Sequence, residues 1–158
     1  MSVVSDEEKT GAPDDETEGE AVSAERLIDM LRRQAEADDK LKAFDEAFGA
    51  DALRACGIDA HAPVLMRLDA AIMLHTYMLK VAGIANLEDI SAASVLKDLY
   101  DCRKCVNHIA QVYLRGLIKP RRLKMPGGAE LLLFDAKGVF IPTHVDKFFR
   151  MWYHAACG

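Results

Sequence analysis

Residues 99–138 decide the fold, and they read LYDCRKCVNHIAQVYLRGLIKPRRLKMPGGAELLLFDAKG. The first half places apolar side chains three and four positions apart, which predicts a helix with one buried face. These side chains are Cys102, Val106, Ile109 and Tyr113. Gly116 ends the helix, and a Pro-Gly-Gly turn separates the basic segment that follows from the apolar strand at 130–134. The stretch therefore predicts a helix followed by a β-hairpin.

The residue pattern of the first third of the chain predicts further helices, which come before residues 99–138. Ser23 is a candidate N-cap for a broken amphipathic helix over 27–48, which Gly49 closes. A short helical turn at 51–56 stops at Gly57. The N-terminal flank of the domain is therefore predicted to be helical.

A helix over 63–82 is predicted to be the centre of the domain. Pro63 suits its first position, Gly83 suits its cap, and its apolar residues cover most of its circumference. A short helix at 92–99 follows. Periodicity leaves open whether this short helix runs on into the next one or is joined to it by a tight turn near residues 100 and 101.

The C-terminal end predicts a short third strand and a last helix. Residues 139–141 are the candidate strand, and Pro142 prevents a helix from running through them. Thr143 with Asp146 forms a capping pair for the final helix. That helix carries Phe148, Phe149, Trp152 and Tyr153.

Charge is distributed unevenly along the 158 residues. Residues 1–51 hold 16 Asp and Glu against 6 Lys and Arg, whereas residues 52–158 hold 9 against 14. The composition of residues 1–22 predicts a disordered acidic tail, and residues 23–158 form one domain. A basic domain with an acidic tail favours contact with nucleic acid, although a tail that only aids solubility fits equally well.

No segment predicts secretion or membrane insertion. The N-terminus runs directly into acidic residues, and the longest apolar stretch, 64–82, is interrupted by Arg67, Asp69, His75 and Lys80. We therefore expect a cytoplasmic protein, with no membrane contact, whose four cysteines are reduced thiols.

Neither catalysis nor a cofactor is predicted. The chain lacks a Gly-rich phosphate loop, a Gly-x-Ser-x-Gly elbow and a His-Glu-x-x-His pair. Cys102 and Cys105 with His108 have a spacing that zinc or a redox reaction could use. One such pair inside a helix favours core packing instead, so we expect no metal.

The order of central helix, short helix, second helix, basic connection, hairpin and C-terminal helix resembles that of MarR-type transcription regulators. Residues 99–106 are similar to the turn and start of a recognition helix, and residues 130–138 resemble the second wing strand and its turn. The resemblance covers roughly residues 58–156. It implies a mainly α winged helix-turn-helix core with one small β-hairpin and flanking helices, with the helix at 27–48 and the C-terminal helix pairing two subunits.

Two groups of residues are the predicted DNA contacts. Those on the second helix can pair with base edges or phosphates, and those between helix and wing can meet phosphates. The first group is Arg103, Lys104, Asn107, His108 and Gln111, and the second is Arg115, Lys119, Arg121, Arg122 and Lys124. A solvated helix face and a charged loop are the plainer interpretations of the same residues.

The first hypothesis is a homodimeric, winged-helix transcription regulator that binds double-stranded DNA, with a small-molecule or redox effector as an option. The second is a non-enzymatic adaptor whose winged helix binds a protein partner. The third, a thiol sensor or metal site, rests on the cysteine pair. DNA affinity that falls steeply with salt distinguishes the first from the second.

Overall fold

The computed structural model describes residues 20–142 together with Val145 and Phe149. Within that part of the chain the fold is mainly helical, with one small antiparallel sheet. The α-helices are α1 (Ala24–Ala37), α2 (Leu41–Phe48), α3 (Ala50–Ala55), α4 (Arg67–Thr76) and α5 (Val106–Leu114). The strands are β1 (Arg121–Lys124) and β2 (Glu130–Leu133). The predicted fold class, mainly α with a β-hairpin, is confirmed at this level.

Helix α1 begins at the predicted residue and ends earlier than expected. The Oγ atom of Ser23 accepts a hydrogen bond from the backbone N–H of Arg26 at 3.1 Å, which confirms the N-cap. Asp39 then adopts a φ of 59°, a left-handed conformation that Asp tolerates better than most residues. The helix predicted over 27–48 is therefore two helices, α1 and α2.

Helix α4 starts four residues later than the sequence predicted. The chain just before it is extended, because the N–H of Leu65 donates to the carbonyl of Val22 and the N–H of Phe140 donates to the carbonyl of Leu65. Met66 forms an isolated antiparallel bridge with Val139, which is what remains of the predicted third strand. These long-range bonds hold Pro63 outside the helix.

The predicted central position of α4 is confirmed. Met73, Leu74, Tyr77 and Met78 are all buried, and the helix continues as a π-helical turn over Tyr77–Val81. Gly83 follows with a φ of 76°, in the left-handed region where glycine is favoured. The sequence signal for the end of this helix was therefore correct.

Three short 3₁₀ segments replace the helix predicted at 92–99. They are Ser91–Val95, Leu99–Asp101 and Arg103–Cys105. Neither a long continuous helix nor a pair of α-helices is present here, since α5 begins only at Val106. Gly116 ends α5 with a φ of 79°, as predicted.

Strands β1 and β2 form the predicted hairpin. Their register pairs Arg121 with Leu133 and Lys124 with Glu130. The turn between them closes with a hydrogen bond from the N–H of Met125 to the carbonyl of Ala129 at 2.8 Å. Gly127 and Gly128 both have positive φ angles, which the Pro-Gly-Gly sequence allows.

The apolar stripe of α1 and α2 fills the core of its own chain. Leu27, Leu31 and Phe44 are almost completely buried, and the rings of Phe44 and Phe48 stack with centroids 4.7 Å apart. The apolar residues of this stripe therefore belong to the core of their own chain, and pairing of two subunits through these helices stays a prediction. Val22, the last residue of the predicted tail, is buried in the same core.

Two predicted segments lie outside the described residues. They are most of the acidic tail, residues 1–19, and the C-terminal helix except for two positions. Of those two, Val145 is buried, and Phe149 packs edge-on against Tyr77 with ring centroids 5.8 Å apart. No helix in the part that the structure describes combines the length and the apolar content required to cross a bilayer.

Candidate functional site

Helix α5 presents one apolar face to the core and its first residues to solvent. Ile109, Ala110 and Val112 are buried against the rest of the domain. Arg103, Lys104 and Asn107, at and just before the start of the helix, are exposed. These three predicted contact residues are therefore accessible to a large ligand.

Gln111 points into the protein, which corrects its predicted role. Its Nε2 atom donates to the carbonyl of Leu87 and its Oε1 atom accepts from the N–H of Leu87, both at 3.0 Å. Nε2 also lies 3.1 Å from Oδ1 of Asn107. A side chain that is 1% exposed and bonded in this way cannot reach a base edge.

His108 is also turned partly inward, against the expectation for a residue that reads a groove. Its Nδ1 atom lies 2.8 Å from Nδ1 of His75, a residue of α4 that is 5% exposed. Burial and then the neighbouring His75 lower the pKa of His108, since both disfavour the charged imidazolium. His108 is therefore a neutral side chain near pH 7 and adds no positive charge to this surface.

Some basic residues between α5 and the hairpin are bonded within the fold, and others are exposed to solvent. Arg115 donates from Nη2 to the carbonyl of Ala85 at 2.8 Å, and burial lowers its pKa. Arg121 donates to the carbonyl of Val139 at 3.1 Å and pairs with the carboxylate of Asp135 at 3.3 Å. Lys119 is partly buried. These three predicted phosphate contacts are therefore wholly or partly engaged within the fold.

Arg122 and Lys124 are the exposed residues of the connection. Being two positions apart on β1, they lie on the same face of the hairpin. Lys124 stands directly across from Glu130 in the register, so its charge is partly balanced. Together with the exposed start of α5, these residues make five of the ten predicted contacts accessible, and we call the set the basic edge: Arg103, Lys104, Asn107, Arg122 and Lys124.

Asp98 joins the two parts of the basic edge, and sequence reasoning missed it. Its Oδ1 atom accepts from the N–H of Phe134 at 2.7 Å and its Oδ2 atom accepts from the N–H of Asp135 at 2.8 Å. Leu96 forms a parallel bridge with Leu132, and the N–H of Lys97 donates to the carbonyl of Leu132 at 2.8 Å. The hairpin is thereby fixed to the segment that leads into α5.

Arg67 holds the chain on both sides of the hairpin, a role that the sequence analysis did not predict. This buried side chain donates from Nε to the carbonyl of Phe134 at 2.8 Å and from Nη2 to the carbonyl of Lys119. Its guanidinium lies over the ring of Phe134, 5.2 Å from the centroid. The signal in the sequence was an arginine inside an otherwise apolar stretch, which calls for a buried partner.

Cys102 and Cys105 are joined by a disulfide bond, whereas the sequence predicted reduced thiols. Cys56 is free and exposed. The described residues contain no group of three or more His, Cys, Asp or Glu side chains arranged to hold a metal ion. The pair is therefore a disulfide that comes directly before α5 and not a metal site.

No family model, curated protein or solved structure matches the chain.

Proposed function

We propose that this protein is a winged-helix regulator that binds double-stranded DNA through the basic edge, with no catalytic activity. Helix α5 would enter the major groove with Arg103 and Asn107 toward base edges, and the hairpin would act as the wing. Lys104, Arg122 and Lys124 would neutralise phosphates. The proposal includes a cytoplasmic location and a dimer, as expected from the sequence, since two copies can then read two half-sites.

The observation that carries this proposal is the connection made by Asp98. Its two hydrogen bonds hold the hairpin, which bears Arg122 and Lys124, against the segment that leads to Arg103 and Lys104. Cationic side chains on two elements with a fixed separation suit the regular spacing of phosphates better than the same side chains on independent loops. The order of helix α5 followed by a hairpin supports the same function.

The test is fluorescence anisotropy of the full chain with duplex DNA over a salt series from about 50 to 200 mM, the range in which counterion release changes affinity strongly. Arg122→Ala with Lys124→Ala should lower the slope of log affinity against log salt by about 2. Arg103→Ala with Asn107→Ala should reduce the preference for a selected sequence by about 1–3 kcal/mol. Selection from a random duplex pool provides that sequence.

The matched control is Arg26→Ala with Lys42→Ala, which removes the same two charges from exposed positions on α1 and α2. This control should keep the slope and the preference of the native chain. Absence of binding at low salt after selection, or an equal loss in the control, would overturn the proposal.

A second candidate function, an adaptor that binds protein, is favoured by apolar side chains exposed on and beside the hairpin. Leu123 is 46% exposed, Met125 39% and Val139 44%. Exposed apolar groups of this kind are typical of protein contacts. If the adaptor function is the real one, the native chain should capture a protein partner in a pull-down without salt-dependent DNA affinity, and Leu123→Ser with Met125→Ser should abolish that capture.

A further inference from the structure

The disulfide between Cys102 and Cys105 lies on an accessible part of the molecule. The two cysteines are separated by Arg103 and Lys104, and their Cα atoms are 5.3 Å apart. Cys102 is only partly buried, whereas Cys105 is 8% exposed. An incoming thiol therefore reaches the sulfur of Cys102 more readily than that of Cys105.

The surroundings favour the release of Cys105 as a thiolate. Cys105 directly precedes the first residue of α5, where unpaired backbone N–H groups and the helix dipole stabilise a negative charge. Arg103 and Lys104 are cationic, exposed and adjacent in sequence to the pair. Cysteines at helix N-termini beside basic residues are the ones whose thiolates form most readily, and a better leaving thiolate speeds exchange.

We propose that Cys102 and Cys105 form a reversible thiol–disulfide exchange site whose reaction partner is a dithiol, either a small molecule or one carried by a protein. The proposal does not rest on the DNA-binding function, although Arg103 and Lys104 belong to both the cysteine site and the basic edge. It assigns a specific reaction to the cysteine pair on which the thiol-sensor hypothesis rests.

The exchange balances without any further reactant. A thiolate of the dithiol attacks Sγ of Cys102, the protein disulfide breaks, and its electron pair leaves on Sγ of Cys105, giving a mixed disulfide. The second thiolate of the dithiol then displaces Sγ of Cys102 and closes the oxidised, cyclic form of the reagent. The dithiol loses two electrons and two protons, and the two protein thiols gain them.

The structure also predicts which of the two sulfurs is attacked and which one leaves. Because Cys102 is the less buried of the two, it carries the mixed disulfide, and Cys105 is the thiolate that leaves. In the reverse direction, when the protein is oxidised, Cys105 attacks that mixed disulfide. Arg103 and Lys104 are not reactants and act by stabilising thiolate charge. Their removal should therefore slow exchange without preventing it.

The experiment uses the full chain with Cys56→Ser and Cys157→Ser, so that only the pair is counted. The protein is equilibrated in dithiothreitol at graded ratios of reduced to oxidised reagent, quenched in acid and labelled with a maleimide that shifts gel mobility. We expect none or two labels per chain, and one titration curve whether the sample starts oxidised or reduced. Circular dichroism confirms that both forms stay folded.

Single substitutions in the same background test the order. The thiol that Cys105→Ser leaves at Cys102 should react with maleimide in the native state faster than the thiol that Cys102→Ser leaves at Cys105, when both rates are compared at a pH where both thiols are ionised, because Cys102 is less buried. Arg103→Ala with Lys104→Ala should slow reduction several-fold relative to Arg26→Ala with Lys42→Ala, because both pairs lose the same charge.

Three results would overturn the proposal. They are free thiols in the most oxidising buffer, a disulfide that is reduced only when the chain is unfolded, and, at a pH where both thiols are ionised, faster labelling of Cys105 than of Cys102. Each can be read without DNA, so failure of this site is separate from failure of the proposed function.

Discussion

The Nδ1 atoms of His75 and His108 lie 2.8 Å apart, a contact that requires one of the two to be free of a proton. Nε2 of His75 lies 2.7 Å from Oδ1 of Asn86, which can only accept, so Nε2 donates to it. Nδ1 of His75 then accepts from Nδ1–H of His108. The contact links α4 to α5, and burial together with His75 disfavours the charged form of His108.

Stability should therefore fall as the pH is lowered through the titration range of histidine. The unfolded chain takes up a proton on His108 at about pH 6.5, whereas burial and His75 lower its pKa in the fold. The contribution of a neutral His108 to stability is complete above about pH 6.5, and it is lost as the pH falls from there through the lowered pKa of His108. Urea denaturation between about pH 8 and 5.5 measures this dependence.

His108→Gln should flatten that dependence, because glutamine does not titrate. His61→Gln is the matched control, since His61 is an exposed residue outside the pair. The control should keep the slope of the native chain. An equal slope in His108→Gln and the native chain would show that this contact does not couple to protons.

Gln111 and Asn107 should affect different properties although they are one turn apart on α5. Gln111→Leu loses two hydrogen bonds to Leu87 and should cost about 1–2 kcal/mol in the free energy of unfolding. Its DNA sequence preference should stay that of the native chain. Asn107→Ala should change stability by no more than about 0.5 kcal/mol and reduce the preference. The reverse assignment of these effects would show that Gln111 reads bases.

Asp98→Ala should weaken DNA binding although it removes a negative charge. The backbone N–H groups of Phe134 and Asp135, the two residues after β2, lose their acceptor at a cost of about 2 kcal/mol in stability, and the hairpin that bears Arg122 and Lys124 is held less firmly. Charge alone predicts the opposite sign, namely tighter binding. Asp101→Ala removes the same charge from an exposed site nearby and should leave binding equal or slightly stronger. Anisotropy measures both variants, and tighter binding by Asp98→Ala would contradict the positioning role.

Arg67→Met should destabilise the region between α4 and the hairpin. The carbonyls of Phe134 and Lys119 would lose a charged donor, which costs about 3 kcal/mol for two such bonds. Arg54→Met, at an exposed position on α3, should change stability by no more than about 0.5 kcal/mol. Thermal unfolding of both variants decides the point, and amide hydrogen exchange should show the largest loss of protection in β2.

Much of the fold was readable from the sequence because its signals act over a few residues. The cap at Ser23, the helix ends at Gly57, Gly83 and Gly116, and the Pro-Gly-Gly hairpin turn all depend on local backbone conformation. The break at Asp39 was missed because aspartate adopts a left-handed conformation less often than glycine. The late start of α4 was missed because Leu65 and Met66 bond to residues far along the chain.

The sequence identified the basic side chains of the candidate site, and the structure showed which of them are exposed to solvent. The periodicity of α5 correctly placed Ile109 inside, missed the buried Val112, and put Gln111 and His108 on the polar face. Their actual orientation depends on Leu87 and His75, which lie 24 and 33 residues away. No local pattern carries that information.

The amino-acid sequence by itself determined the helical class, the hairpin and the basic character of residues 52–158, because these follow from residue spacing, turn chemistry and composition. Tertiary structure alone decided the connection between Asp98 and the hairpin, the burial of Gln111 and Arg67, and the closure of the disulfide between Cys102 and Cys105. The physical reason is that a buried polar group is stable only beside its partner, and folding brings the partners together from distant parts of the chain.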